Sequence, residues 1–228
     1  MRLFGRNQKQ HITHVESPFE DEEGLAPQAA EQASGPFDAS EVSDHDGYID
    51  LGSLKLPVHD GMNLQIEVSE GTKQVIAITV VIGQSSIQLQ PFAAPKSAGL
   101  WSEISEQLVS SLQSQDADVA KKDGRWGQEL LARVPASMPD GSPGWRVARF
   151  IGVDGHRWFL RAVVAGQAAM ETAETSVIED YLSRVIVDRG DSPMPPRDLL
   201  PLKAPTQVPG QTTDQTLDQA PEQPVTDA

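Results

Sequence analysis

Two runs of alternating apolar and polar residues, 145–153 and 156–164, flank Asp154-Gly155 and constrain this chain more than any other feature of it. Alternation with a period of two is the pattern of a strand with one buried face. Asp-Gly is a dipeptide that suits a two-residue type I′ hairpin turn. Counting outward from the turn pairs Ile151 with Trp158 and Val147 with Ala162. Trp145, Val147, Ile151, Val153, Trp158, Leu160, Ala162 and Val164 then share one face, which is the expected core face. Arg149 falls among them, so it is expected to reach a carboxylate or the sheet margin. The opposite face carries Arg146, Phe150, Arg157, Phe159 and Arg161, with Phe150 across from Phe159.

The rest of residues 47–202 supplies partners for that hairpin. Residues 63–69 alternate, residues 74–82 are apolar on both faces, and residues 87–90 alternate again. These are three strands, the middle one central to its sheet. A weaker strand covers residues 48–56, interrupted by Gly52. Trp101, Ile104, Leu108 and Leu112 recur at helical spacing. Residues 114–124 are polar and read as a linker, residues 126–134 as a strand. Residues 170–187 form a second amphipathic helix ended by Gly190. The order is ββββ-α-βββ-α: an α+β domain with one antiparallel, twisted sheet of about seven strands packed by two helices. The proline-rich arm that follows, with Leu199, Leu200 and Leu202, is expected to pack on its own domain.

Composition separates this middle from the ends. The chain of 228 residues has 33 acids, 18 bases, a net charge of −15 and no cysteine, which excludes disulfides, thiol catalysis and thiolate metal sites. Residues 1–46 hold ten acids against Arg2, Arg6 and Lys9, with few large apolar side chains. They and residues 203–228 read as disordered acidic tails, too poor in apolar surface to offset the entropy of ordering. No apolar segment follows the basic start, so a cytoplasmic protein is expected. The charge argues against nucleic acid as a partner of the intact chain, and no apolar run is long enough to span a bilayer.

No catalytic constellation is visible. His11 and His14 lie in the acidic tail, where no preorganised metal site is expected. Neither a phosphate-binding glycine loop nor a nucleophile elbow is present. The reading is therefore a non-enzyme without cofactor or metal. Two features point to binding instead. Arginines beside aromatics on the outer hairpin face (Arg146, Phe150, Arg157, Phe159, Arg161) suit carboxylates, phosphates or an acidic partner; covering by a helix is the competing reading of that face. In the tail, Ser17-Pro18-Phe19-Glu20 and Gly35-Pro36-Phe37-Asp38 repeat a Pro-Phe-acid pattern, which makes Phe19 and Phe37 docking anchors and Ser17 a phosphoacceptor candidate.

Several segments resemble an actinobacterial family of unknown function. They are Gly35-Pro36-Phe37-Asp38, Leu100-Trp101, Gly124-Arg125-Trp126-Gly127-Gln128-Glu129-Leu130, Gly144-Trp145-Arg146, Arg157-Trp158-Phe159-Leu160-Arg161, and the stretch from Arg189-Gly190 to Pro201-Leu202. The resemblance covers residues 35–202, implies small cytoplasmic proteins with an acidic N-terminus, and supplies no catalytic residues. The element order is also similar to the Mog1/PsbP-like group, which implies a binding module. The expected function is that of a cytoplasmic, non-enzymatic interaction protein with a protein partner. The alternative is a small-molecule-binding domain or an enzyme with a pocket between the sheet and the Trp101 helix.

Overall fold

The computed structural model describes residues 35–96, 99–137, 141–170 and 172–205. In chain order the strands are β1 (Phe37–Asp38), β2 (Tyr48–Asp50), β3 (Leu54–Pro57), β4 (Asn63–Val68), β5 (Val75–Ile82) and β6 (Ser85–Ala93). Helix α1 (Trp101–Gln113) follows, then β7 (Asp118–Gly124), β8 (Gly127–Ser137), β9 (Pro143–Asp154) and β10 (Trp158–Gly166). A 3-10 turn (Gln167–Met170), helix α2 (Ala173–Leu182) and β11 (Ile186–Val187) complete the described fold. The α+β class and the seven-stranded antiparallel sheet agree with the sequence reading; its strand order is β4-β5-β6-β10-β9-β8-β7.

The expectation of one sheet needs correction, because a second, smaller sheet runs β1-β11-β3-β2. Its members came from three segments with other expectations. The interrupted strand at 48–56 is a hairpin, β2 and β3, turning through Gly52 at φ +84°. The end of the second helix leaves helical conformation after Leu182, and its β-branched Ile186 and Val187 pair with β3 instead. Phe37–Asp38, assigned to the acidic tail, joins β11 in parallel, with the Phe37 N–H donating to the Val185 carbonyl at 2.9 Å. The fold therefore reaches back to Gly35, ahead of the boundary drawn at residue 46. Apolar pairing at β11 outweighs the acidic composition around it.

The hairpin also differs in register. Ile151 pairs with Ala162 and Phe159 with Asp154, so the loop spans 155–158 rather than two residues. The slide is four residues, and an even slide leaves every side chain on its expected face. Two contacts select the longer loop. The Asp154 carboxylate is recruited elsewhere, as shown below. Gly155 lies against the Trp158 indole, where a Cβ would collide. Trp158 in turn donates its indole N–H to Asp38 at 2.8 Å. Burial acts against the charged form of Asp38, but hydrogen bonds from Ser40 and Trp158 hold its carboxyl below the usual range. The polar segment read as a linker becomes β7. Charges on both of its faces hide the strand period, and the same charges suit the exposed edge of a sheet.

One face of the large sheet carries the main core. Ile78, Val80, Ile87, Leu89, Leu160, Ala162 and Ile151 meet Ile178, Tyr181 and Leu182 of α2 and Leu51, Leu54 and Leu56 of the small sheet. The proline-rich arm packs on its own domain. Leu200 is fully buried and its N–H donates to the Pro91 carbonyl. Ser53 N–H donates to Pro201 O and Lys203 N–H to Leu51 O, so the arm ties β6 to the β2–β3 turn. Gly52 permits this approach, since a Cβ would meet the Pro201 carbonyl.

Helix α1 lies on the opposite face. No residue of its own caps it; the Leu100 N–H donates to Asp154 Oδ1 at 2.6 Å and the Trp101 N–H to Oδ2 at 3.3 Å. A carboxylate at a helix start satisfies orphan donors and opposes the helix dipole favourably. Asp154→Ala is expected to cost about 1 kcal/mol, and Asp154→Asn less, measured by urea unfolding followed by circular dichroism.

Candidate functional site

Alternation along β10 sends Phe159, Arg161 and Val163 to the α1 face, and register places Phe150 opposite Val163 on the same face. Trp101 at the start of α1 lies over Gly152, which leaves no room for a Cβ. Its ring stacks on Phe159 with centroids 6.1 Å apart, and Phe159 stacks on Phe92 at the same separation. Its indole N–H donates to the Gln128 carbonyl at 2.5 Å. Phe159 is fully buried, and Phe150 packs half-buried against the same cluster. This corrects the reading of the outer hairpin face as an Arg/Phe docking surface: its aromatic half is the floor beneath α1. The space between sheet and first helix, where the alternative reading placed a pocket, is filled by Trp101.

The five residues of that reading are dispersed. Phe150 and Phe159 lie under α1. Arg157 is half-buried in the hairpin loop at φ +63°, its carbonyl accepting from Ala94. Arg146 is exposed beyond the end of β10, and Arg161 sits on the sheet beside α1. Of the tail residues, Phe37 is engaged in β1, while Ser17 and Phe19 lie outside the described residues.

The structure draws attention to residues the sequence pattern misplaced. Strands β8 and β9 continue past their neighbours. β10 pairs with β9 only to Ala148, and β7 with β8 only to Arg133. Residues 134–137 and 143–146 therefore pair only with each other, as a two-stranded ribbon. Trp145, expected in the core, lies on this ribbon and is 51% exposed. The Arg133 guanidinium covers its ring at 5.5 Å, and Pro135 is directly across the ladder. Periodicity identified the correct face but not where the covering layer ends. The other three tryptophans are tied down by their indole N–H groups: Trp101 to Gln128, Trp126 to Gly35, Trp158 to Asp38.

On the core face, Arg149 reaches carboxylates, one of the two outcomes expected of it, and meets two of them. Its Nε bonds Glu129 and one terminal nitrogen bonds Glu179 at 2.5 Å. The carboxylates hold the guanidinium above its ordinary pKa in spite of burial, which works the other way. Beside this cluster a small cleft is lined by Lys122, Glu129, Leu131, Arg149 and Ala169. Glu129 and Arg149 in its lining are bonded to each other. Among the described residues no three His, Asp or Glu side chains gather as metal ligands, and no helix is long and apolar enough to cross a membrane.

Arg161 is treated differently. One of its terminal nitrogens bonds the Gln90 side-chain oxygen, and its guanidinium lies 5.9 Å from the Phe92 ring. Among the described residues its Nε is buried without an acceptor, and no carboxylate pairs with it. Burial lowers its pKa.

With this geometry in place, comparison with known proteins gives three findings. A family model described as "Protein of unknown function (DUF3710)" matches residues 35–211. No curated protein sequence matches the chain significantly. A crystal structure from Bacteroides thetaiotaomicron is similar at 12% identity and a TM-score of 0.35, covering 61% of this chain and 47% of its own. The chain thus spans about half the length of that structure.

Removing one member of a buried ion cluster strands the others without compensation. Arg149→Met is expected to destabilise the domain by about 3–5 kcal/mol. The double variant Arg149→Met, Glu129→Met should recover much of that loss. Urea unfolding of both variants checks the pair.

Proposed function

Since the chain belongs to the family described as protein of unknown function (DUF3710), its role has to be argued from its surface, and we propose that it is a non-enzymatic, cytoplasmic interaction protein that docks a protein partner through the β8–β9 ribbon. The half-exposed Trp145, held flat by Arg133, is the observation that carries this reading. Tryptophan and arginine dominate the energetics of protein interfaces, because a flat apolar ring gains much on burial and a guanidinium adds directional bonds. Trp145 stays half-exposed where its strand neighbours have ended, so its ring adds little to packing within this domain.

Arg146 lies on the other side of the same ribbon, so the arm presents a cation on each face. An acidic or mixed protein segment is the complement. The net charge of −15 weighs against nucleic acid for the intact chain. Enzymatic function has less support. The carboxylates near a cleft are bound to Arg149, and the interior beneath α1 is occupied by aromatic rings.

The test compares the whole chain with its Trp145→Ala and Trp145→Phe variants in affinity capture from the native cytoplasm. Trp145→Ala should weaken recovery of a specific partner at least tenfold, with Trp145→Phe intermediate. The urea midpoint should stay close to that of the parent, as for other exposed sites. Equal partner recovery by all three proteins would overturn the ribbon as the docking arm.

A further inference from the structure

The large sheet has two outer strands, β4 and β7, and they are not alike. The β4 ladder slips between Glu67 and Val68, an irregularity that spoils an edge for further pairing. β7 pairs with β8 in unbroken register from Asp118↔Arg133 to Gly124↔Gly127. It contains no proline, and Asp118, Ala120, Lys121, Lys122 and Asp123 are all exposed. Gly124 and Gly127 close a two-residue turn, so that pair exchanges both of its backbone bonds. Alternation then commits Lys122, Ala120 and Asp118 to β8. It turns the N–H and C=O groups of Val119, Lys121 and Asp123 outward.

Charges on an edge strand resist pairing with an arbitrary segment, but the order of these charges is self-complementary. Outward groups meet outward groups only when a second copy lies antiparallel with its two-fold axis at a residue of β7. With the axis at Ala120, Asp118 faces the Lys122 of the second copy, and the pair occurs twice. The ladder extends each pair into a row of alternating sign: Arg133, Asp118, then Lys122 and Glu129 of the second copy. At the axis two alanines meet, small enough for the close approach of a pair without backbone bonds. The neighbouring registers fail. An axis at Lys121 or at Lys122 sets that lysine against itself, and one at Val119 leaves only residues 118–120 overlapping.

We propose that β7 is a self-association edge, separate from the ribbon, through which two copies of this chain join their large sheets antiparallel about Ala120. Backbone bonds from Val119 and Lys121 of each copy hold the two strands together, as in other cases of strand addition. The two Asp118–Lys122 pairs set the register. Exposed ion pairs add little affinity, so their contribution is selection: the registers centred on either lysine meet like charges, and this one does not. The same charges that keep the edge soluble therefore also choose its partner.

The experiment is sedimentation velocity of the full chain up to about 100 µM, enough to populate a dimer of micromolar dissociation constant. The expected result is a mass that rises with concentration to that of two chains. Lys121→Pro removes an outward N–H and none of the bonds to β8, so it should leave a monomer whose circular dichroism matches the parent. Asp118→Lys and Lys122→Asp each set like charges across the axis and should each weaken association at least tenfold. Mixing those two variants restores opposite charges in both pairs and should give a one-to-one heterodimer with the parent's affinity. A single-chain mass at every concentration, a dimer that survives Lys121→Pro, or a mixture no tighter than its components refutes the proposal.

Discussion

The largely buried Arg149 sets conditions that several other parts of the fold must meet. A guanidinium on the core face of a sheet is tolerable only if its charge is matched and its donors are occupied. Glu129 supplies one carboxylate from β8 and Glu179 the other from α2, so the cluster fixes where the helix lies on the sheet. Glu129 fits because Gly124, across the β7–β8 ladder, has no side chain; a Cβ there would occupy the position of the carboxylate. With α2 so placed, Tyr181 and Leu182 close the core, and the chain leaves the helix toward β11. Arg125 repeats the link on the outside, bonding Asp180 one residue beyond Glu179.

Much of this was legible from periodicity, and the exceptions have physical reasons. The hairpin at 154–155 revealed both of its strands and their faces, although the register slid by four. Local turn preference gave way to Asp154 serving α1 and to Trp158 packing against Gly155. β7 was hidden because an edge strand that must stay soluble carries charge on both faces. Phe37 was hidden because a two-residue strand has no period, and its partner Ile186 lies far along the chain. Alternation placed Trp145 correctly by face and wrongly by depth, since strand length alone does not disclose where a neighbouring strand stops.

The candidate sites were less legible than the fold for a related reason. Alternation identified the arginines of the hairpin but not which of them the fold would neutralise. Alternation set Arg149 apart on the core face, but Arg157 and Arg161 share the other face in the sequence. Only tertiary placement separates the one bent into a loop from the one left with an amide. A cluster of like charges in sequence is thus resolved by the fold into scaffold and surface.

The C-terminal arm has a consequence for how the protein is made. It bonds the β2–β3 turn through Ser53 and Leu51, and Lys203 reaches Asp50 across 153 residues of sequence. β3 also waits for β11, and β1 has no other partner. During synthesis β3, with Leu54 and Leu56, has only β2 as a strand partner until β11 has left the ribosome. Closing so long a loop is slow, and exposed strand edges invite wrong pairing meanwhile. The small sheet therefore completes last, after the local hairpins of β4, β5 and β6 have formed.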